Sequence, residues 1–356
     1  MSFELFFSAD DPSRPIVYVF EIDVDAAGVP RVTNESLRQR RQGQTRGRPY
    51  HFLKLTNGKG KVWAGDYVEG GKDDPYASTT TLADLNRLGL TTLGNLAEHP
   101  RIVKLRSYVE QWYLSYLVPN AARQQPPAGA QRWLDREGTN IANVLQYYQR
   151  THPKEFENIV RRMAEGIPGV KKIMPEVSAD KRLLLKFDEE GYRDPFYQQS
   201  MSDGTLKMLA YGVLLEDPDP RPLIGIEEPE NGLYIELIER LARNFVDHTV
   251  RKKAPTQIFV TTHSPYFVDA LEPEQVWLME KREGRATAVR VADLPKVKEL
   301  TQEGVPLGAQ WYSHHFESKP PARAGRHKRG SSRSTSSGGS KSKPQKRPGR
   351  RKGDRQ

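Results

Sequence analysis

From Lys181 to Val291 the chain alternates two kinds of apolar segment: RLLLKF, GTLKMLAYGVLLED, PLIGI, IELIERLARNFVDHTVRK, QIFVTT, PYFVDAL and VWLMEK. Short runs rich in aliphatic and β-branched residues predict strands, and apolar residues recurring every three or four positions predict helices between them. This order predicts βαβ units and a mainly parallel sheet, with reactive residues at the carboxyl ends of its strands. A chain of 356 residues is long enough for one large domain or two modest ones with a real core.

Ahead of this region, residues 1–81 predict an antiparallel β meander. Ile16 to Ile22 is aromatic and β-branched, and Tyr50 to Trp63 reads as two short strands about Asn57-Gly58, a dipeptide suited to a tight hairpin turn. Residues 82–174 predict a mostly helical arm in VKLRSYVEQWYLSYL and NIANVLQYYQRTHPKEFENIVRRMAEGI. A loop at residues 126–130 interrupts it, and Gly138-Thr139-Asn140 opens a helix. The α/β part then runs over 175–318. Residues 319–356 are Ser, Gly, Pro, Lys and Arg with almost nothing apolar, which predicts a disordered tail.

Charge divides along the same line. Fourteen of the 55 Lys and Arg but only one of the 45 Asp and Glu follow Ser318, leaving 41 bases against 44 acids, about −3, in the body. The body therefore has no global basic bias. The tail reads either as a solvated end without function or as a flexible arm for phosphate backbones such as DNA. The absence of cysteine excludes a disulfide framework, a thiolate zinc site and a cysteine nucleophile. No stretch reaches the ~18 apolar residues of a membrane span and the start lacks a basic leader, so a soluble, cytoplasmic protein is expected.

Three motifs carry chemistry, each with a plainer structural alternative. Pro222–Leu233 is an apolar strand that stops on Glu227-Glu228, with Pro229 enforcing a turn; it reads as a metal and water site or as an acidic loop favouring the next helix. Gln257–Pro265 is a strand ending in Thr261-Thr262-His263-Ser264, where the histidine can meet a phosphate oxygen or serve the fold, and Ser264 can cap a helix. Ser200–Lys207 opens a long helix, and Ser202, Asp203 and Gly204 there can form an anion site or an ordinary cap.

In this order and spacing the motifs resemble predicted AAA-type ATPases of the ABC/SMC/RecF class, particularly small bacterial ones with SDGTL, IEEPENGL and TTHSP. The resemblance runs from the first strands to about Phe316 and includes DREGTNIANVL and LGAQWYS. It implies a P-loop NTPase head of the ABC/SMC type, with ATP and Mg²⁺ as cofactors and association with DNA repair or phage defence. Ser202, Asp203 and Gly204 match the signature that reaches a γ-phosphate held by the opposite subunit. Glu227 matches the Walker B support of Mg²⁺, Glu228 the base that orients water, and His263 the switch histidine.

One departure stands out. Members begin with a strand and a Gly-rich Walker A loop ending Gly-Lys-Ser/Thr, and these 356 residues contain no such loop: Gly58-Lys59, Gly60-Lys61 and Gly71-Lys72 have Leu53, Leu55 and Asp66 at the required first glycine, and no Ser or Thr follows. Tyr234-Ile235 also replaces the His-Pro common after ENGL. Three readings follow: half of a split or truncated ATPase that needs a Walker A-bearing partner in a homo- or heterodimer, a non-catalytic regulatory or DNA-associated module that keeps the fold, or a fragment left with an exposed core and sheet edge.

Overall fold

The computed structural model describes residues 1–8, 14–40, 46–63, 77–251, 256–282 and 284–316. All fall in the unit Met1–Phe316; the expected tail, in the second unit, lies outside the described residues.

Six strands, β1 (Ser2–Phe7), β2 (Ile16–Val24), β3 (Pro30–Gln39), β4 (Tyr50–Thr56), β5 (Lys59–Trp63) and β6 (Ala77–Thr81), form one antiparallel sheet in chain order. The β4–β5 turn has Asn57 and Gly58 both left-handed, at φ 47° and 70°, the mirror-image geometry whose twist matches that of paired strands. A Cβ at Gly58 would also lie 2.4 Å from Leu85 Cδ2, so the end of that side chain would have to shift. Leu37, Leu53, Leu55 and Val62 bury one face of the sheet with Leu90, Ile102 and Leu105 from helices α1 (Gly89–Leu93) and α2 (Pro100–Glu110). Each such aliphatic side chain contributes about 1.5–3 kcal/mol through removal from water.

The rest of the chain runs β7 (Tyr113–Ser115), α3 (Pro119–Ala122), α4 (Ile141–Thr151), α5 (Pro153–Gly166), β8 (Val170–Val177), β9 (Leu183–Glu189) and β10 (Phe196–Tyr197), then α6 (Asp203–Leu215), β11 (Leu223–Glu227), α7 (Ile235–Arg251) and β12 (Gln257–Thr261). It closes with α8 (Pro265–Val268), the hairpin β13 (Trp277–Arg282) and β14 (Arg285–Arg290), α9 (Pro295–Gln302) and α10 (Leu307–Tyr312). The parallel sheet has the order β12-β11-β7. Ile224 and Ile226 of β11 pack with Leu206, Leu209, Leu241 and Phe245 of α6 and α7 in the main core, which places the ends of β11 and β12 beside the start of α6.

The parallel sheet is thus present but narrower than the alternation suggested. RLLLKF lies between β8 and β10 in a three-stranded antiparallel sheet, and VWLMEK pairs only with β14 among the described residues. Chain length explains both: tight turns at 178–182 and about Gly284 (φ 79°) suit antiparallel neighbours, whereas a parallel pair needs a crossover of about a dozen residues. The third parallel strand, β7, comes instead from YLSYL, read above as helical. Tyr113 and Ser115 are buried while Leu114 is exposed, a two-residue period that the three- and four-residue spacing of the preceding helix masks.

Two further segments quoted above make contacts that hold the fold. In DREGTNIANVL, the Asp135 carboxylate accepts from the N–H groups of Glu137 (3.0 Å), Gly138 (2.7 Å), Thr139 (3.0 Å) and Asn140 (3.2 Å) ahead of α4. Asn143 donates to the carbonyls of Pro127 and Gly129, tying down the 126–130 loop. In LGAQWYS, Gly308 brings α10 against α8, where a Cβ would lie 2.3 Å from the Pro265 carbonyl oxygen.

Candidate functional site

β11 ends on Glu227 and the backbone then reverses. Glu228 has φ 41°, a left-handed conformation that costs a non-glycine residue about 1–2 kcal/mol. It is held there because its N–H donates to the Thr261 carbonyl at 2.9 Å, continuing the pairing with β12 for one more residue. Its carboxylate splits its two oxygens: Oε2 accepts from the Asn231 amide at 2.7 Å, and Oε1 lies 3.7 Å from His263 Nε2. Glu228 and His263, each just beyond the end of one of two adjacent parallel strands, therefore meet at the carboxyl end of the sheet. His263 is otherwise open to solvent, with 84% of its side chain exposed.

Glu227 sits beside them with an exposed carboxylate that takes no hydrogen bond from any described residue. No group of three His, Cys, Asp or Glu among the described residues is arranged to hold a metal ion. One free carboxylate fits Mg²⁺, which takes one or two protein carboxylates and completes its octahedron with water and phosphate oxygens. Glu227 is thus the residue here that can hold the ion of a Mg²⁺–nucleotide, whose charge supplies electrostatic stabilisation to phosphoryl transfer.

The loop that opens α6 lies against the same turn. Ser202 is the helix cap: its hydroxyl accepts from Thr205 N–H at 3.1 Å and lies 2.9 Å from the Thr205 hydroxyl. Ser202 and Asp203 remain exposed while Gly204 is buried. The glycine serves packing, because a Cβ would lie 3.2 Å from the Gly232 carbonyl and 3.4 Å from Leu233. Close approach at Gly204 is thus first to the ENGL turn of the same chain.

Sequence reading missed the residues that join these motifs. Buried Lys207, one turn into α6, donates to the Asn231 carbonyl at 2.7 Å; burial holds its ammonium below the usual lysine range, against the pull of Glu230, Asp203 and Glu228. Buried Glu230 accepts through Oε1 from the Thr262 hydroxyl at 2.7 Å and the His263 N–H at 2.9 Å. It clamps Thr262 and His263 to the β11 turn, and its second oxygen is buried with no hydrogen-bond partner among the described residues. Arg123, just after α3, reaches the Met201 carbonyl at 2.9 Å and pairs with Asp203. A lysine at a helical i, i+3 or i+4 step from a signature motif gives no sequence signal for a backbone carbonyl partner, and Arg123 lies 80 residues from Asp203. Ser264 departs from expectation: it precedes α8, but its hydroxyl makes no cap bond, and its N–H donates instead to the Thr262 hydroxyl at 3.0 Å.

Among solved structures, an SMC head bound to the C-terminal winged-helix domain of ScpA is 13% identical, with 80% of this chain and 76% of that chain covered and a TM-score of 0.41. The SMC head domain of Thermotoga maritima is 12% identical over 77% of this chain and 74% of its own, with a TM-score of 0.34. A structure from work on ATP-driven dimerisation and DNA-stimulated activation of SMC ATPases is 17% identical over 45% of this chain and 96% of its own, at 0.35. No curated protein sequence matches. Residues 2–269 match the family described as "AAA domain, putative AbiEii toxin, Type IV TA system", a span that includes the six-stranded meander, the β8–β10 sheet, the parallel sheet and the three motifs, and the chain belongs to this AAA-domain family.

Proposed function

We propose that this chain supplies the signature, Walker B and switch-histidine half of a composite ATPase site, completed by a partner that brings a Walker A loop. The observation that carries the reading is the meeting of Glu228 and His263, 3.7 Å apart, beside the uncommitted carboxylate of Glu227 at the carboxyl ends of parallel strands. In this reading Glu227 holds Mg²⁺, Glu228 orients the attacking water, and His263 donates to the γ-phosphate. Ser202, Asp203 and Gly204 face the nucleotide held by an opposite subunit. The dimerisation described for SMC ATPases supports the two-chain arrangement. DNA contact, in repair or defence against phage, falls to the basic residues 319–356. A chain ending at Ser318 then loses most salt-dependent DNA binding in a gel-shift titration, and full retention with an unchanged salt slope rejects this role.

The test of the ATPase reading is phosphate release from the chain mixed with a Walker A-bearing partner or a full-length homologue. Glu228→Gln keeps size and hydrogen bonding but removes the base, so turnover falls ~10²-fold or more while nucleotide stays bound. Ser202→Arg blocks the dimer face instead. Activity unchanged in Glu228→Gln rejects the assignment of the base, and no activity in any mixture makes the non-catalytic module the better reading.

A further inference from the structure

Asp203 stands where the functional reading above needs a phosphate to be met, yet it is itself an exposed anion. A carboxylate in the first turn suits a helix by opposing its positive end, and for the same reason it works against a phosphate arriving there. What offsets Asp203 comes from another element. Arg123, the residue after α3, sends one guanidinium nitrogen to Asn120 Oδ1 at 2.8 Å and the other to the Met201 carbonyl at 2.9 Å and to the Asp203 carboxylate. Among the described residues this is the one ion pair that Asp203 makes. The guanidinium is held in place. Its side chain is 24% exposed, and the chain just after it is fixed to the neighbouring sheet. There the Gln124 carbonyl accepts from the side-chain amide of fully buried Gln198 at 3.3 Å, and Gln198 Oε1 accepts from the Leu185 N–H at 2.7 Å. The Pro126 carbonyl accepts from the Leu183 N–H at 2.8 Å.

We propose that Arg123 is a positioning residue for the signature loop: by neutralising Asp203 and fixing the Met201 carbonyl, it leaves the start of α6 able to accept the terminal phosphate of a nucleotide. Arg123 does not touch that phosphate; it acts through Asp203. An ion pair between partly exposed groups adds little to stability, so at this surface the charge it cancels matters more than the strength of the contact. With the carboxylate neutralised, the dipole of the 13-residue α6 meets the ligand unopposed. The first N–H groups of a helix have no intrahelical acceptor, and Ser202 takes only that of Thr205. The Met201 carbonyl matters for the same loop, because it precedes Ser202 directly and its bond to Arg123 sets the direction in which the chain enters the helix. This deepens the functional reading above and rests on it for the source of the phosphate, while the charge balance stands on the contact between Arg123 and Asp203.

The test titrates sodium tripolyphosphate into the full chain and follows the backbone amide signals of Asp203, Gly204 and Thr205, which report this surface apart from any other basic region. Wild type is expected to bind there and Arg123→Ala to bind ~10-fold more weakly. Arg123→Ala combined with Asp203→Asn is expected to return to within ~3-fold of wild type. A role in shape alone predicts no such return, because the double variant lacks the same contacts to Met201 and Asn120. Absence of shifts at these amides in wild type, equal binding by Arg123→Ala, or a double variant as weak as Arg123→Ala overturns the proposal. Phosphate release from the reconstituted mixture should follow the same order of variants, and turnover that depends on Glu228 but is indifferent to Arg123 also overturns it. Binding in the expected order by a chain that stays inactive with every partner removes the ATPase reading and leaves the role of Arg123 at an anion site standing.

Discussion

The side-chain amide of Asn231 donates to Glu228 Oε2 at 2.7 Å, and Lys207 donates to the carbonyl of the same asparagine at 2.7 Å. A strut thus runs from inside the signature helix, through one residue of the ENGL turn, to the carboxylate assigned as the base. Asn231 fixes one oxygen of Glu228 and leaves the other toward His263. Asn231→Ala is expected to lower turnover of the reconstituted assembly ~10-fold, about 1.4 kcal/mol, without changing nucleotide affinity. Asn231→Asp replaces the amide donor by a second anion against Glu228 and should lower turnover at least as far as Asn231→Ala. Wild-type turnover in Asn231→Ala would show that Glu228 is positioned without it.

Asp135 gathers four successive backbone N–H groups and the Thr139 hydroxyl onto one carboxylate, satisfying the donors of the turn that leads into α4. Hydrogen bonds to an ionised acceptor are among the stronger ones. Asp135→Ala is therefore expected to cost about 2–4 kcal/mol in urea unfolding, with Asp135→Asn, which keeps one acceptor oxygen, losing roughly half as much. A loss below ~0.5 kcal/mol for the alanine variant would show that water replaces the carboxylate without cost.

These two sites mark what sequence can and cannot show. The meander, the Asn57-Gly58 hairpin and the strands ending at Glu227 and Thr261 were legible because they rest on local periodicity and turn chemistry. The partition of strands among sheets was not: RLLLKF and PLIGI look alike as apolar runs, and only the length of their connections sends one to an antiparallel sheet and the other to the parallel one. The motif residues themselves were legible, yet the residues joining them were hidden. Lys207 and Glu230 read as ordinary charges within motifs, and Arg123 belongs to a segment with no motif; each acquires its role from a partner that the fold brings near.

Glu35 is a carboxylate buried under the meander, accepting from the Tyr18 hydroxyl at 2.8 Å and from the N–H groups of Gly89 and Leu90 at the start of α1. Burial raises its pKa despite the three donors, which pull the other way. A carboxyl group whose folded-state pKa lies above its unfolded value adds stability below the unfolded value and loses it as pH rises through the folded one. The contribution should thus grow on acidification from neutral pH, within the window between the ordinary glutamate range and the raised value. Glu35→Gln cannot titrate and sets an NH₂ among donors, so it should cost about 1–3 kcal/mol, and its deficit against wild type should widen as pH falls. Urea titrations at a series of pH values measure this, and a deficit that narrows on acidification would reverse the sign of the shift.

Glu228 carries the carboxylate proposed as the base on backbone that a glutamate adopts at a cost. At φ 41° an L side chain crowds its own carbonyl, a penalty of about 1–2 kcal/mol that glycine escapes. Glycine gives back part of this through the greater freedom of the unfolded chain, about 0.4–1 kcal/mol. Glu228→Gly is accordingly expected to match or exceed wild-type stability by up to ~1 kcal/mol while removing the carboxylate and the contact with Asn231. A β-branched residue suits this region least, so Glu228→Val should be at least ~1 kcal/mol less stable than Glu228→Gln, which keeps the unbranched stem. The three variants need only thermal or urea unfolding, with no partner and no nucleotide. Were Glu228→Gly to lose ~1 kcal/mol, as glycine does inside an ordinary strand, the left-handed turn would carry no strain. Were Gly at least as stable as Glu, with Val well below Gln, the end of β11 would be holding its glutamate against local preference, the expected mark of a side chain kept for its chemistry.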